Sequence, residues 1–169
     1  MLIKLIGLNT EELIVLLQEE GEPPYRGRQL ADLVYIRRVR TIMEMPNLPF
    51  ELRERLEKKY EVGRSRIVTV QRSNDGTTKL LLETQDGAKV ETVGLPYADR
   101  FSCCISTQVG CPLDCKFCLT GVMGLTRNLT AGEIVGQVLR VSQENKLGAR
   151  ERLNFVFMGM GEPMLNYDE

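Results

Sequence analysis

Residues 101–140, FSCCISTQVGCPLDCKFCLTGVMGLTRNLTAGEIVGQVLR, and residues 153–163, LNFVFMGMGEP, decide the fold. The apolar run FSCCIS has strand length and leads into a loop crowded with cysteine, glycine and proline. Thr130-Ala131-Gly132-Glu133 then has capping-box form, ahead of Ile134, Val135, Val138 and Leu139 at helical spacing, in a helix expected to end near Gly148. Leu153 to Met158 is a second apolar run of strand length, closed by Gly159-Met160-Gly161-Glu162-Pro163. Strand, loop, helix, strand, loop is a βα unit followed by the start of another, which implies a parallel sheet. A barrel unit takes roughly 30 residues, so residues 99–169 supply about two units of an α/β barrel, which is incomplete in this chain.

Upstream of Phe101 the period is that of strands. IVTVQRS, TKLLLET and AKVETVGL are separated by Asn74-Asp75-Gly76 and Gln85-Asp86-Gly87, tight-turn sequences that predict a three-stranded meander over residues 63–98. Residues 1–62 read as helical. Asn9 or Thr10 can cap a helix carrying Leu13, Leu16 and Leu17, with Glu11 and Glu12 in the first turn where the helix dipole favours acids. Gly21, Pro23 and Pro24 end it. Second and third helices are expected over Arg26–Val39 and from about Pro49 to Tyr60. The chain therefore divides into an α-helical module, a β-meander and the first βα units of the barrel.

Composition removes several function classes. With 22 basic against 23 acidic residues there is no global electrostatic footprint for nucleic acid, so any such contact must be local. Arg26, Arg28, Arg37, Arg38 and Arg40, with only Asp32 acidic among residues 26–40, form one local basic segment; it is read equally as an RNA-phosphate contact or a solvated helix face. The chain contains no histidine, which excludes His-based acid–base chemistry and mixed Cys/His zinc sites together. No apolar run approaches the roughly 20 residues that span a bilayer, and the expected location is the cytoplasm.

Five cysteines crowd into positions 103–118 with no secretory signal, a pattern of metal or redox chemistry rather than a disulfide framework. Cys111, Cys115 and Cys118 are spaced C-x₃-C-x₂-C. Three thiolates this close can wrap one [4Fe–4S] cube and leave its fourth iron without a protein ligand. The alternative is a structural zinc site completed by Cys103 or Cys104, although zinc loops favour well-separated C-x₂₋₄-C pairs. Gly161 and Glu162 lie just past a strand's carboxyl end, where α/β barrels place their sites, and a carboxylate there can accept hydrogen bonds from a ligand ammonium group. Cys103 and Cys104 are adjacent on a strand, so only one of them can face a given site.

The cysteine spacing, with Phe117 just before the last cysteine, matches the radical S-adenosylmethionine (SAM) signature. KVETVGLP (89–96), CISTQVG (104–110), GLTRNLTAGEIVGQ (124–137) and MGMGEPMLN (158–166) resemble the RlmN/Cfr family of radical SAM RNA adenine methyltransferases over essentially the whole chain. That resemblance implies that Cys111, Cys115 and Cys118 ligate a [4Fe–4S] cluster, that SAM chelates its open iron, and that Phe117, Gly161 and Glu162 help bind the cofactor. It implies that Cys104 is the thiol that resolves a covalent protein–RNA adduct by forming a disulfide, leaving Cys103 as a buried hydrophobe. Glu91 becomes the acceptor of the adenine C2 proton, a role for which a desolvated carboxylate is expected.

The resemblance further implies adenine methylation in ribosomal RNA, with transfer RNA as a second substrate, through a methyl-cysteine. C2 is favoured over C8. A flavodoxin-type reducing donor and a monomeric complete enzyme are expected. No cysteine follows Cys118, so residues 1–169 alone are expected not to turn over. An RNA-binding remnant without catalysis is the other reading to be tested.

Overall fold

The computed structural model describes residues 2–148 and 151–169, which form two compact units, Met1–Arg64 and Ser65–Glu169. In the first unit, α1 (Thr10–Glu19) starts at Asn9. The Asn9 side chain accepts from the Glu12 amide at 2.9 Å and the Glu12 carboxylate accepts from the Asn9 amide at 2.7 Å, so two orphan donors of the first turn are satisfied reciprocally. Leu13, Leu16 and Leu17 face inward as their spacing predicts. The second helix departs from expectation. It is α-helical only over Pro24–Ala31 (α2) and continues as a π-turn over Asp32–Ile36, after which Arg38 takes φ 55° and stops it short of Val39. The Tyr35 hydroxyl, donating to the Leu8 carbonyl at 2.6 Å, ties this wider turn to the loop before α1. Helix α3 spans Phe50–Glu57, shorter than the Pro49–Tyr60 expected, because Tyr60 and Glu61 leave it to form a two-residue strand, β2 (Tyr60–Glu61), parallel to β1 (Ile3–Lys4). Leu30, Leu33, Leu52 and Leu56 complete the buried core of this unit.

The second unit is built on one five-stranded sheet, β3 (Arg66–Arg72), β4 (Thr78–Glu83), β5 (Lys89–Pro96), β6 (Phe101–Cys104) and β9 (Leu153–Val156), in that spatial order. The meander of β3, β4 and β5 continues antiparallel into β6, and β6 pairs with β9 in parallel. This is the mixed α/β architecture expected, with the meander and the βα segment sharing a sheet. The crossover between β6 and β9 carries a short hairpin, β7 (Gln108–Gly110) with β8 (Leu125–Asn128), then α5 (Ala131–Glu144), capped by Thr130 and Glu133 as the sequence predicts. Helix α5 ends at Glu144, earlier than Gly148, because the Asn145 side chain turns back to accept from the Thr78 hydroxyl at 2.9 Å. The closing strand stops at Val156 rather than Met158.

Alternation decides which sheet face is covered. Leu80, Leu82, Val90, Phe101 and Cys103 project to one face and form the core with Val141, against which Ile134 and Val138 of α5 also pack. Register pairs Lys79 with Val93 and Val93 with Cys104, so Lys79, Glu91, Val93 and Cys104 project to the other face. On that face Glu91 is exposed and Lys79, Val93 and Cys104 are half-buried.

Candidate functional site

At the carboxyl end of β6 and β9 the chain brings together the cysteine loop, the glycine–glutamate turn and Cys104. Cys103 is fully buried, and desolvation, then the neighbouring Cys104, push its thiol up to about 11; it behaves as a small hydrophobe. Cys104 is half-buried on the opposite face. Burial raises its thiol pKa and the Met158 amide, donating to it, partly offsets this.

The cysteine loop lies between β7 and β8. Its ends are closed by the Cys111 amide donating to Gly124 O at 3.1 Å, and its interior by the Cys118 amide donating to Cys115 O at 3.0 Å. Gly110 has φ 78°, and a Cβ there would stand 1.8 Å from the Gly124 carbonyl oxygen, so only glycine fits this approach of the two loop ends. Cys118 is the residue before a single helical turn, α4 (Leu119–Met123). Its thiol pKa is lowered by the Gly121 amide, then by the Thr120 amide and hydroxyl, which favours the thiolate. Cys111 is buried, Cys115 exposed and Cys118 half-buried, and all five cysteines are free. Among the described residues no three Cys, Asp or Glu side chains converge to hold a single metal ion. In a [4Fe–4S] cube each thiolate binds a different iron, so its donors need not converge on one point. Three thiols in one eight-residue loop, one of them already biased to the thiolate, fit that donor set.

The Gly159–Pro163 turn is held against the β6–β7 connection by polar side chains that the sequence reading did not single out. The Ser106 hydroxyl donates to Glu91 O at 2.6 Å and accepts from the Met160 amide at 2.9 Å. Gln137 of α5 pairs with both backbone groups of Ser106 at 2.8 Å. The Asn166 amide group donates to Thr107 O and Leu129 O at 2.8 and 2.9 Å. Gln108, wholly buried, accepts from the Glu162 amide at 2.9 Å and donates to Asn128 Oδ1 at 2.8 Å. The Glu162 carboxylate caps the turn that follows, accepting from the Met164 amide at 3.0 Å through Oε1. The signal for these residues was weak, because Ser, Gln and Asn beside glycines read as loop polarity until burial is known.

Two expectations meet different surroundings. Glu91 projects from the sheet face opposite the core with its side chain 47% exposed, and Lys79 stands 3.1 Å from its Oε1, so the desolvated carboxylate expected is not found. The side chains of Thr69, Gln71 and Leu81 complete a shallow cavity of about 130 Å³ around this pair. Phe117 is 94% exposed, in an apolar fringe with Leu119, Val122 and Met123.

Comparison with known proteins places these features in context. Residues 3–62 match the family model described as ribosomal RNA large subunit methyltransferase N-terminal domain. A probable dual-specificity RNA methyltransferase RlmN of Deinococcus deserti is 49% identical over 144 residues, covering 85% of this chain and 42% of that protein. The corresponding protein of Gloeobacter violaceus is 47% identical over 163 residues, covering 96% and 45%. A crystal structure of a radical SAM methyltransferase from Sphaerobacter thermophilus superposes with a TM-score of 0.91 at 41% identity, over 98% of this chain and 49% of that one. The chain thus spans about half the length of the relatives it matches.

Proposed function

We propose that this chain, which belongs to the RlmN/Cfr family of radical SAM RNA methyltransferases, supplies the cofactor-holding part of an enzyme that methylates C2 of adenine in ribosomal and transfer RNA. One observation carries the reading. The cysteine loop, the Gly161–Glu162 turn and Cys104 stand at one end of the sheet, in a chain at least 41% identical to these relatives over 85% or more of its length.

When bound, a [4Fe–4S] cluster and SAM supply one-electron cleavage of a carbon–sulfur bond, chemistry that belongs to the cofactor. The residues of this chain bind, orient and shield. Cys111, Cys115 and Cys118 would hold the cluster through their Sγ atoms. Glu162 has one carboxylate oxygen engaged by the Met164 amide, which leaves Oε2 to accept from the SAM ammonium group. The exposed apolar side chains Phe117, Leu119 and Val122 would keep water from the cluster edge.

On the sheet face opposite the core, Glu91 Oε accepts the proton released from adenine C2, with Lys79 as its counter-charge. The half-buried Cys104 is the thiol whose sulfur would bond to that of a methyl-carrying cysteine as the latter's carbon–sulfur bond breaks, the bond's electron pair leaving with the methylene carbon, which takes up a proton to become the product methyl group. The exposed arginines Arg28 and Arg40 of the helical unit contact RNA phosphates, and a flavodoxin-type protein donates the electron.

Anaerobic reconstitution with iron and sulfide tests the reading. It should give a brown protein with about four irons per chain, and Cys115→Ala should abolish the colour. Stoichiometric zinc with no iron-dependent absorbance would overturn it. Mass spectrometry of RNA modified by the complete enzyme then separates 2-methyladenosine from 8-methyladenosine.

A further inference from the structure

We infer that Gln108 is a positioning residue that sets the Gly161–Glu162 turn against the cysteine loop. The inference rests on the cofactor reading above only for its consequence in SAM binding. Gln108 sits on β7, three residues before Cys111, with a side chain of zero exposure. Both ends of its amide are committed. Oε1 accepts from the Glu162 amide at 2.9 Å, and Nε2 donates to Asn128 on β8, the strand that leaves the cysteine loop.

The aliphatic part of the same side chain contributes as well. Gly161 takes φ 97°, and a Cβ there would meet Gln108 Cβ at 2.6 Å. The backbone amides of Gln108 and Thr107 also both donate to Met160 O, at 3.3 and 2.9 Å. Entry strand, exit strand and turn therefore converge on this one side chain. A buried amide with both ends satisfied has a single orientation, because turning it over would set donor against donor and acceptor against acceptor. Its placement is thus passed to the Glu162 backbone, and through it to the carboxylate that caps the next turn.

The test uses the reconstituted chain and three measurements: iron content, SAM affinity by equilibrium dialysis, and hydrogen exchange of the Glu162 amide by NMR. Gln108→Met keeps the bulk and removes both bonds. Exchange at Glu162 should accelerate about tenfold or more and SAM affinity should fall by a similar factor, while iron content stays at the wild-type level. Gln108→Glu keeps an acceptor for the Glu162 amide and should retain most of the exchange protection. If Gln108→Met does not fold, Asn128→Ala removes the brace from the other side and should produce the same two effects in smaller degree. Unchanged exchange and unchanged SAM affinity in a folded variant would overturn the inference. Wild-type chain that binds no SAM would defeat the cofactor reading instead, while the exchange measurement still decides the role of Gln108.

Discussion

Single residues at this site are constrained by backbone geometry more than by charge. Gly110 combines a left-handed φ of 78° with a carbonyl oxygen 1.8 Å from where a Cβ would lie. Gly110→Ala must therefore spread the two ends of the cysteine loop, and a destabilisation of roughly 1–3 kcal/mol is expected from the strain alone. Thermal unfolding and iron uptake should fall together; a variant with normal uptake would show that the loop ends can separate freely. Asp86 is constrained electrostatically. Arg127 first, then the Thr84 hydroxyl, hold its carboxyl well below its ordinary value of 3.8, and Arg127 also pairs with Glu133 at 2.8 Å. The ionised form is the one the folded state prefers. Its contribution is full above pH about 4 and is lost as the pH falls through the lower folded value. Asp86→Asn should lower stability at neutral pH and converge on wild type below that window, measured by urea midpoints from acid to neutral pH. A constant offset across the whole range would refute this account.

Elements were legible in the sequence where their causes are local. Thr130 with Glu133 is a capping box readable four residues at a time, Asn9 is one of two caps the sequence allowed and gains its reciprocal bond with Glu12 in the structure, and Asn74-Asp75-Gly76 closes its hairpin with glycine at φ 85°. What was not legible depends on partners distant in sequence. Nothing in residues 32–36 announces a π-turn, which is held by Tyr35 reaching a loop 27 residues earlier. The β7–β8 hairpin is too short for alternation to register, and it exists because Gly110 permits its close ends. At the site, the cysteine spacing was enough to nominate three ligands, whereas the buried amides beside them needed the fold. Glu91 shows the converse, since its strand face was readable but its ion pair with Lys79 on β4 was not. Gln137 links element to site, joining α5 to the end of β6 through both backbone groups of Ser106. Gln137→Leu leaves a buried amide and carbonyl unpaired and should cost about 2–4 kcal/mol in denaturant unfolding, well above the ~1 kcal/mol expected for Thr130→Ala. Equal losses would mean that the α5 to β6 tie adds nothing beyond a helix cap.

At the scale of the whole molecule, charge is nearly balanced at −1, so the RNA association proposed must come from local groups. In the helical unit several cations already have intramolecular partners. Arg26 donates to Gln29 and to Asn47 O, Arg37 pairs with Asp32 at 2.9 Å, and Lys59 pairs with Glu20. Arg28 and Arg40 are exposed, and they are the side chains proposed above to meet phosphates. If each neutralises one phosphate of a single strand, the slope of log affinity against log salt should lose about 0.7 for each of Arg28→Gln and Arg40→Gln. Fluorescence anisotropy with a short RNA between about 50 and 200 mM salt reads this directly. Cys115→Ala should leave the slope untouched, because the thiols proposed to hold the cluster are assigned no phosphate contact. A slope insensitive to both arginine substitutions would move the RNA surface off this helical unit.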